Sequence, residues 1–137
     1  MPRPKCQRKI GCPPAMEGFK PFGIPRSELE KVTLLFEEYE AFRLTDYDGM
    51  TQEQAASKMQ VSRPTFTRIY EQARKTIAKA FVEGKAIVIA GGDAQFEKQW
   101  YRCSKCHKLV QGLENHTRCH GCTKYGDDEL KKITSYL

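Results

Sequence analysis

The chain has 137 residues and a net charge of +6, and 39% of its residues are hydrophobic. This composition supports a packed core without disulfide bonds. The longest apolar run, residues 86–90, is far shorter than a membrane span, and the N-terminus lacks the apolar segment of a signal peptide. We therefore expect a cytoplasmic protein that does not associate with membranes.

Charge is distributed unevenly along the chain. Residues 1–26 carry a net charge of +5, residues 27–60 carry −5, and residues 61–86 carry +4. This pattern is typical of a protein with one face for an anionic polymer, but a solvated surface of mixed charge produces it as well. Charge alone leaves both interpretations open.

Residues 1–26 contain six prolines and three glycines and show no helical or alternating periodicity, so they predict an extended arm. Four basic residues lie near its start: Arg3, Lys5, Arg8 and Lys9. We expect residues 3–9 to contact nucleic acid, because flexible basic arms can enter the minor groove of DNA. Residues 19–24 are expected to pack on the domain through Phe19 and Phe22.

The domain that follows is predicted to span residues 27–92. Residues 32–36, VTLLF, predict a short strand because they are β-branched and apolar. The segment EEYEAFRL places Tyr39 and Phe42 on one helical face and predicts a helix to about Thr45. Turn-forming residues around Gly49 end this helix.

A second helix is predicted from its cap. Thr51 is a good N-cap residue, and Gln54 three residues later completes the pattern of a capping box. This helix should end near Met59. Gln60 then stands where a glycine is usual, because the turn residue tends towards positive φ, at a cost of roughly 1 kcal/mol.

A third, longer helix is predicted to begin after Ser62, with Pro64 in its first turn. Its apolar residues keep helical spacing for about five turns; they are Phe66, Ile69, Tyr70, Ala73, Ile77, Ala80 and Phe81. Gly84 is predicted to cap its C-terminus. A strand should follow over residues 86–90, paired either with residues 32–36 or with a second subunit.

Only three residues separate the second and third helices, which predicts the steep crossing of a helix-turn-helix. Small and apolar residues suit the crossing: Ala55, Ala56, Met59, Val61, Phe66 and Ile69. The candidate DNA-contacting residues of this unit are Ser62, Arg63, Thr65, Thr67, Arg68, Gln72 and Lys75. Arginine can bind guanine edges or phosphates, and threonine methyl groups can contact thymine. An ordinary helical hairpin with a basic solvated face is the alternative.

The segment MTQEQAASKMQVSRPTFTRIYEQARKTIAKAF resembles the helix-turn-helix of sigma-factor region four. The chain also resembles a family of small prokaryotic proteins catalogued as predicted DNA-binding proteins of unknown function. This second resemblance covers about residues 1–92 through MPRPK, FKPFGIP, EEYEAFRL, DGMTQEQAASKMQVSRPTFTRI and EGKAIVIAGG. It implies a DNA-binding regulator without specifying its target.

Residues 93–137 form a predicted metal-binding tail. Four cysteines follow the spacing C-x2-C, twelve residues, C-x2-C, which is that of a zinc ribbon; they are Cys103, Cys106, Cys119 and Cys122. A structural Zn²⁺ is the first expectation, whereas iron, an iron–sulfur cluster and disulfides are alternatives. His107, His116 and His120 are interpreted as polar loop residues, and no role is assigned to Cys6 or Cys12.

The predicted fold class is mainly α: a helix-turn-helix domain with short flanking strands and a zinc-ribbon-like tail. The predicted function is sequence-specific binding of double-stranded DNA by a transcriptional regulator. The alternatives are a metal- or redox-responsive sensor and an adaptor that binds RNA polymerase or another transcription protein. A homodimer would read two half-sites. No enzyme is predicted, because the sequence shows no paired carboxylates, phosphate loop or Ser-His-Asp set.

Overall fold

The computed structural model of the protein describes residues 8–92, 94–96, 100–103, 109–111 and 130–133. In these residues there are three α-helices: α1 (Phe36–Phe42), α2 (Gln52–Met59) and α3 (Arg63–Glu83). Several short strands accompany them: β1 (Arg8–Ile10), β2 (Gly18–Phe19), β3 (Lys31–Leu34), β4 (Ala86–Ile89), β5 (Ala94–Phe96), β6 (Trp100–Cys103), β7 (Leu109–Gln111) and β8 (Leu130–Lys132). None of the helices described is both long and apolar enough to cross a membrane.

The strand β4 lies at the centre of a three-stranded sheet with the order β2-β4-β3. It runs parallel to β3, with Lys31 opposite Ala86 and Leu34 opposite Ile89, and antiparallel to β2. Pairing with residues 32–36 was one of the two predicted alternatives, and this alternative is confirmed. The strand ends at Leu34, before Phe36, because the Glu38 carboxylate accepts a hydrogen bond from the Leu35 N–H at 2.9 Å and starts α1.

Two apolar clusters form the core on either side of α1. One joins α1, α2 and the first half of α3: Ala41, Leu44, Ala55, Ala56, Met59, Phe66 and Tyr70. The other joins the strands to the middle of α3: Ile10, Leu34, Phe36, Ala73, Ile89 and Ala94. Helix α3 is about 30 Å long and extends beyond both clusters. Phe81 is therefore 87% exposed, so its predicted place in the apolar face was wrong.

Glutamates of α1 hold the N-terminal segment against the helices. Glu40 is 1% exposed and accepts a hydrogen bond from the Gly11 N–H at 2.8 Å, while Glu37 pairs with Arg8 at 3.0 Å. Glu40 also pairs with Arg43. Burial raises the pKa of the Glu40 carboxyl, and the Arg43 guanidinium opposes that change. The segment from Arg8 onwards is thus part of the folded core.

This placement corrects two expectations about the N-terminal segment. The Arg8 side chain is only 14% exposed and is paired with Glu37, so it is held within the fold rather than presented on a flexible arm. Phe19 and Phe22, which were expected to pack on the domain, are 61% and 102% exposed. The β2–β4 pairing involves only two residues and leaves these aromatic rings outside the core. Arg3 and Lys5 lie outside the described residues.

Strand β6 is joined to the same N-terminal segment by Arg102. This arginine is 9% exposed and donates hydrogen bonds to the carbonyl oxygens of Pro14, at 2.9 Å, and Ala15, at 3.1 Å. Its Nε lies 3.7 Å from a Glu17 carboxylate oxygen. Strand β6 pairs with β7 and β8 on its two sides, so this contact connects the C-terminal sheet to the rest of the fold.

Candidate nucleic-acid interface

The turn between α2 and α3 is built from local hydrogen bonds. Gln60 has φ of 57° and ψ of 45°, the left-handed conformation that its place in the turn predicted. The Val61 N–H then donates to the Ala56 carbonyl at 3.0 Å and closes the C-terminus of α2. At the other end of α2, the Thr51 and Gln54 side chains each accept a hydrogen bond from the other's backbone N–H, at 3.2 and 3.1 Å. The predicted bounds of α2 are confirmed.

The start of α3 also agrees with its predicted cap. The Ser62 side chain accepts a hydrogen bond from the Thr65 N–H at 3.4 Å and donates one to the Thr65 hydroxyl at 2.9 Å. Pro64 occupies the first turn, and Gly84 closes the helix with φ of 69°. The first turn of α3 therefore projects from a rigidly capped helix end, with Ser62, Arg63 and Pro64 exposed to solvent.

Buried side chains determine how α3 is oriented on α2. Ala55 and Met59 of α2 and Phe66 of α3 are all fully buried, and the Phe66 ring stacks on the Tyr70 ring with a centroid distance of 6.1 Å. Val61 and Ile69 pack at the edge of this cluster. Since Phe66 and Tyr70 face inwards, helical periodicity directs the residues on the opposite side of α3 towards solvent.

Three of the predicted DNA-contacting residues lie together on this solvent side. Arg68, Gln72 and Lys75 are exposed and follow one another at spacings of four and three residues, so they form a stripe along the helix. Glu71 is exposed in the same turn and reduces the net positive charge there. Gln72 also donates a weak hydrogen bond to the Thr76 hydroxyl, at 3.4 Å.

The other predicted residues of α3 are partly engaged by α2. The Arg63 guanidinium lies 3.3 Å from the Glu53 carboxylate, and both side chains are more than half exposed. The Thr67 hydroxyl donates to the Gln52 side-chain oxygen at 2.5 Å. Thr65 and Thr67 are half-buried at the two borders of the exposed stripe. They are less accessible than the sequence suggested.

Gln52 and Glu53 are members of the candidate interface that sequence reasoning did not identify. Both lie in the first turn of α2, and the crossing of the helices brings them to the first two turns of α3. The only sequence signal for them was an acidic residue ten positions before Arg63. Because Glu53 and Arg63 belong to different helices, their spacing in the sequence does not predict a contact. The two side chains meet only because α2 packs against α3.

Further cationic side chains lie on α3 beside and beyond the stripe. The Arg74 guanidinium carbon lies 5.5 Å from the centre of the Tyr70 ring, close enough for a cation–π contact. Burial, together with the neighbouring Asp46 carboxylate, raises the pKa of the Tyr70 hydroxyl. Lys79 is exposed one turn beyond Lys75 of the stripe.

The structure describes one of the four predicted metal ligands. Cys103 is fully buried and ends β6, where it pairs with Leu130 of β8. The remaining predicted ligands, Cys106, Cys119 and Cys122, lie outside the described residues. The structure therefore does not describe the predicted four-cysteine metal site as a whole.

Comparison with known proteins places the chain in a family. A family model described as "Protein of unknown function DUF134" matches residues 1–97. A UPF0251 protein of Chloroherpeton thalassium is 41% identical over 133 residues, which cover 96% of this chain and 88% of that protein. A UPF0251 protein of Moorella thermoacetica is 46% identical over 131 residues, which cover 95% and 86%.

A third relative, a UPF0251 protein of Halothermothrix orenii, is 46% identical over 106 residues, which cover 77% of this chain and 78% of that protein. No solved structure matches the chain significantly. The family model matches more than half of the chain, and the relatives from Chloroherpeton thalassium and Moorella thermoacetica are 41% and 46% identical to it over nearly all of its length. The chain belongs to the family of proteins of unknown function DUF134.

Proposed function

We propose that this protein binds double-stranded DNA through α2 and α3, which act as a helix-turn-helix similar to that of sigma-factor region four, and that it regulates transcription. The observation that carries this proposal is the exposed, capped start of α3 together with the stripe of Arg68, Gln72 and Lys75. Phe66 holds the helix from the opposite side, so the stripe is presented by a rigid element.

The contacts follow from the chemistry of these side chains. The first turn of α3 would enter the major groove, where the positive end of the helix dipole faces the DNA. Arg68 could bind a guanine edge through two hydrogen bonds, and Gln72 could bind an adenine edge. Lys75 and Lys79, farther along the helix, would contact phosphates and make the affinity depend on salt concentration.

The proposal is tested by Arg68→Ala, after the preferred duplex has been selected from a random pool. If Arg68 reads a base, the variant should lose about 1–3 kcal/mol of binding free energy for that duplex and relax its preference at one base pair. Fluorescence anisotropy titrations on the selected duplex and on random duplexes would measure both effects.

Arg26→Ala is the matched control, because Arg26 is an exposed arginine in the 3-10 turn of residues Arg26–Glu28. Its substitution removes the same charge away from the stripe and should change binding little. An equal loss on selected and random DNA would show that Arg68 contacts phosphate instead. Failure of the unaltered protein to bind any duplex at low salt would refute DNA binding and favour an adaptor for RNA polymerase or another transcription protein.

We further propose that Cys103, Cys106, Cys119 and Cys122 hold one structural Zn²⁺. Cys103 is fully buried at the end of β6, and the C-x2-C spacing that it starts is typical of zinc ligands. Four thiolates would close the coordination shell, so the ion would stabilise the tail rather than activate water. Iron in the same four-thiolate site would instead suit a metal- or redox-responsive regulator.

Replacing Cys103 with serine should lower the bound zinc from one ion per chain to nearly none. Elemental analysis of protein purified without chelators measures this directly, with Cys12→Ser as the control because Cys12 is the cysteine described outside the tail. Zinc retained in full by Cys103→Ser would contradict the ligand assignment. Iron in place of zinc in the unaltered protein would support the sensor alternative.

A further inference from the structure

The start of α3 is bonded to the start of α2 at two places. The Arg63 Nη1 lies 3.3 Å from the Glu53 Oε1, and the Thr67 hydroxyl donates to the Gln52 side-chain oxygen at 2.5 Å. Gln52 and Glu53 are the first two residues of α2, and Arg63 is the first residue of α3. The crossing of the helices thus places an acidic side chain directly beside the first cation of the proposed recognition helix.

The ion pair between Glu53 and Arg63 joins two well-fixed helical turns. The Thr51 cap fixes the first turn of α2, and the Ser62 cap fixes the first turn of α3. Ala55, two residues after Glu53, is fully buried in the apolar cluster that joins the two helices. The two charged side chains are therefore kept close together by backbone that is already ordered, which lowers the entropic cost of pairing them.

Arg63 differs in this respect from the other cations of α3 that we propose to contact DNA. In the part of the chain that the structure describes, neither Arg68 nor Lys75 forms an ion pair. The Glu53 and Arg63 side chains are 75% and 63% exposed, and an exposed ion pair adds little to the stability of a fold. The effect of this pair is therefore expected in binding rather than in folding.

We infer, on the basis of the proposed function, that Glu53 is a positioning residue that directs Arg63 to a base edge and away from phosphate. Glu53 engages Nη1 of the guanidinium, and the donors on Nε and Nη2 match the two acceptors that guanine presents in the major groove. Moving Arg63 to a phosphate would break the pair and leave the Glu53 charge facing the polyanion. Glu53 thus lowers the affinity for random DNA and raises the discrimination between sequences.

Glu53→Gln tests the inference in fluorescence anisotropy titrations of the full chain. This variant keeps the size of the side chain but frees Arg63 to contact phosphate. Its affinity for random duplex should rise about fivefold to tenfold, with a salt dependence steeper by about one phosphate contact. Its preference at the base pair that Arg63 reads should fall by about fivefold or more, measured on single base-pair variants of the selected duplex.

Two further variants separate this role from a general change of charge. Glu83→Gln removes the same charge at the other end of α3, about 30 Å away, and should leave the base preference unchanged. In an Arg63→Ala background, Glu53→Gln should no longer alter the base preference, because the residue through which Glu53 acts is gone. Circular dichroism checks that each variant is folded, and Glu53→Ala replaces Glu53→Gln if that variant does not fold.

An unchanged preference at every base pair in Glu53→Gln would overturn the inference. So would a change that persists in the Arg63→Ala background, because Glu53 would then act on DNA directly. Either result would leave the proposed function intact, since the protein would still bind DNA. If the unaltered protein binds no duplex at low salt, the proposed function and the inference both fail.

Discussion

Replacing Phe66 with alanine is expected to lower the free energy of unfolding by about 3–5 kcal/mol. The Phe66 ring is fully buried, stacks on Tyr70 and fills the space between α2 and α3 beside Ala55 and Met59. Alanine would leave a cavity that the two helices cannot close without changing their crossing. Chemical denaturation followed by circular dichroism measures the loss.

Tyr47→Ala serves as the control for Phe66→Ala. Tyr47 is also an aromatic residue, but it is 84% exposed, so its loss should change the unfolding free energy by no more than about 0.5 kcal/mol. A loss below about 1 kcal/mol for Phe66→Ala would show that the crossing of α2 and α3 does not depend on this ring. It would also weaken the case for a rigid recognition helix.

Glu40→Ala is expected to destabilise the protein by about 2–4 kcal/mol, the second-largest effect that the structure predicts. This carboxylate is 1% exposed, accepts from the Gly11 N–H and pairs with Arg43. Alanine would leave the Gly11 N–H and the Arg43 guanidinium without the Glu40 carboxylate as their partner. The loss is less than that of a fully buried pair because Arg43 keeps its contact with Asp48 at 2.9 Å.

Two further variants separate the contributions of Glu40. Glu40→Gln keeps an oxygen that can accept from Gly11 but removes the charge opposite Arg43, so its loss should be intermediate. Glu28→Ala removes an exposed carboxylate elsewhere and should have little effect. Equal losses for Glu40→Gln and Glu40→Ala would mean that only the ion pair with Arg43 matters and that the hydrogen bond to Gly11 contributes nothing.

Helix ends were predictable because their determinants are local. The cap formed by Thr51 and Gln54, the Ser62 cap and the Gly84 terminus each involve residues three to five positions apart. The unusual conformation of Gln60 was predictable for the same reason, since the turn between two close helices demands it. Arg68, Gln72 and Lys75 were among the predicted DNA-contacting residues and are exposed, whereas Thr65 and Thr67 of the same predicted set are half-buried.

Contacts between distant residues were not predictable in the same way. Nothing near Glu40 indicates that it accepts from Gly11, 29 residues earlier, and nothing near Arg102 indicates that it donates to Pro14, 88 residues earlier. The same limit explains why Phe22 was expected to be packed. An aromatic residue in a proline-rich segment suggests burial, but whether a surface is available to bury it depends on the whole fold.

By itself, the sequence determined the bounds and caps of α2 and α3 and the packing of Phe66 and Tyr70, because hydrogen bonds and side-chain periodicity within a few residues decide these features. Only the tertiary structure decided that β4 pairs with β3, that the N-terminal segment is held by Glu37 and Glu40, and that Gln52 and Glu53 contact the start of α3. It also decided that Phe22 and Phe81 remain exposed. These features depend on how the helices and strands pack against one another. A short stretch of sequence does not predict that packing.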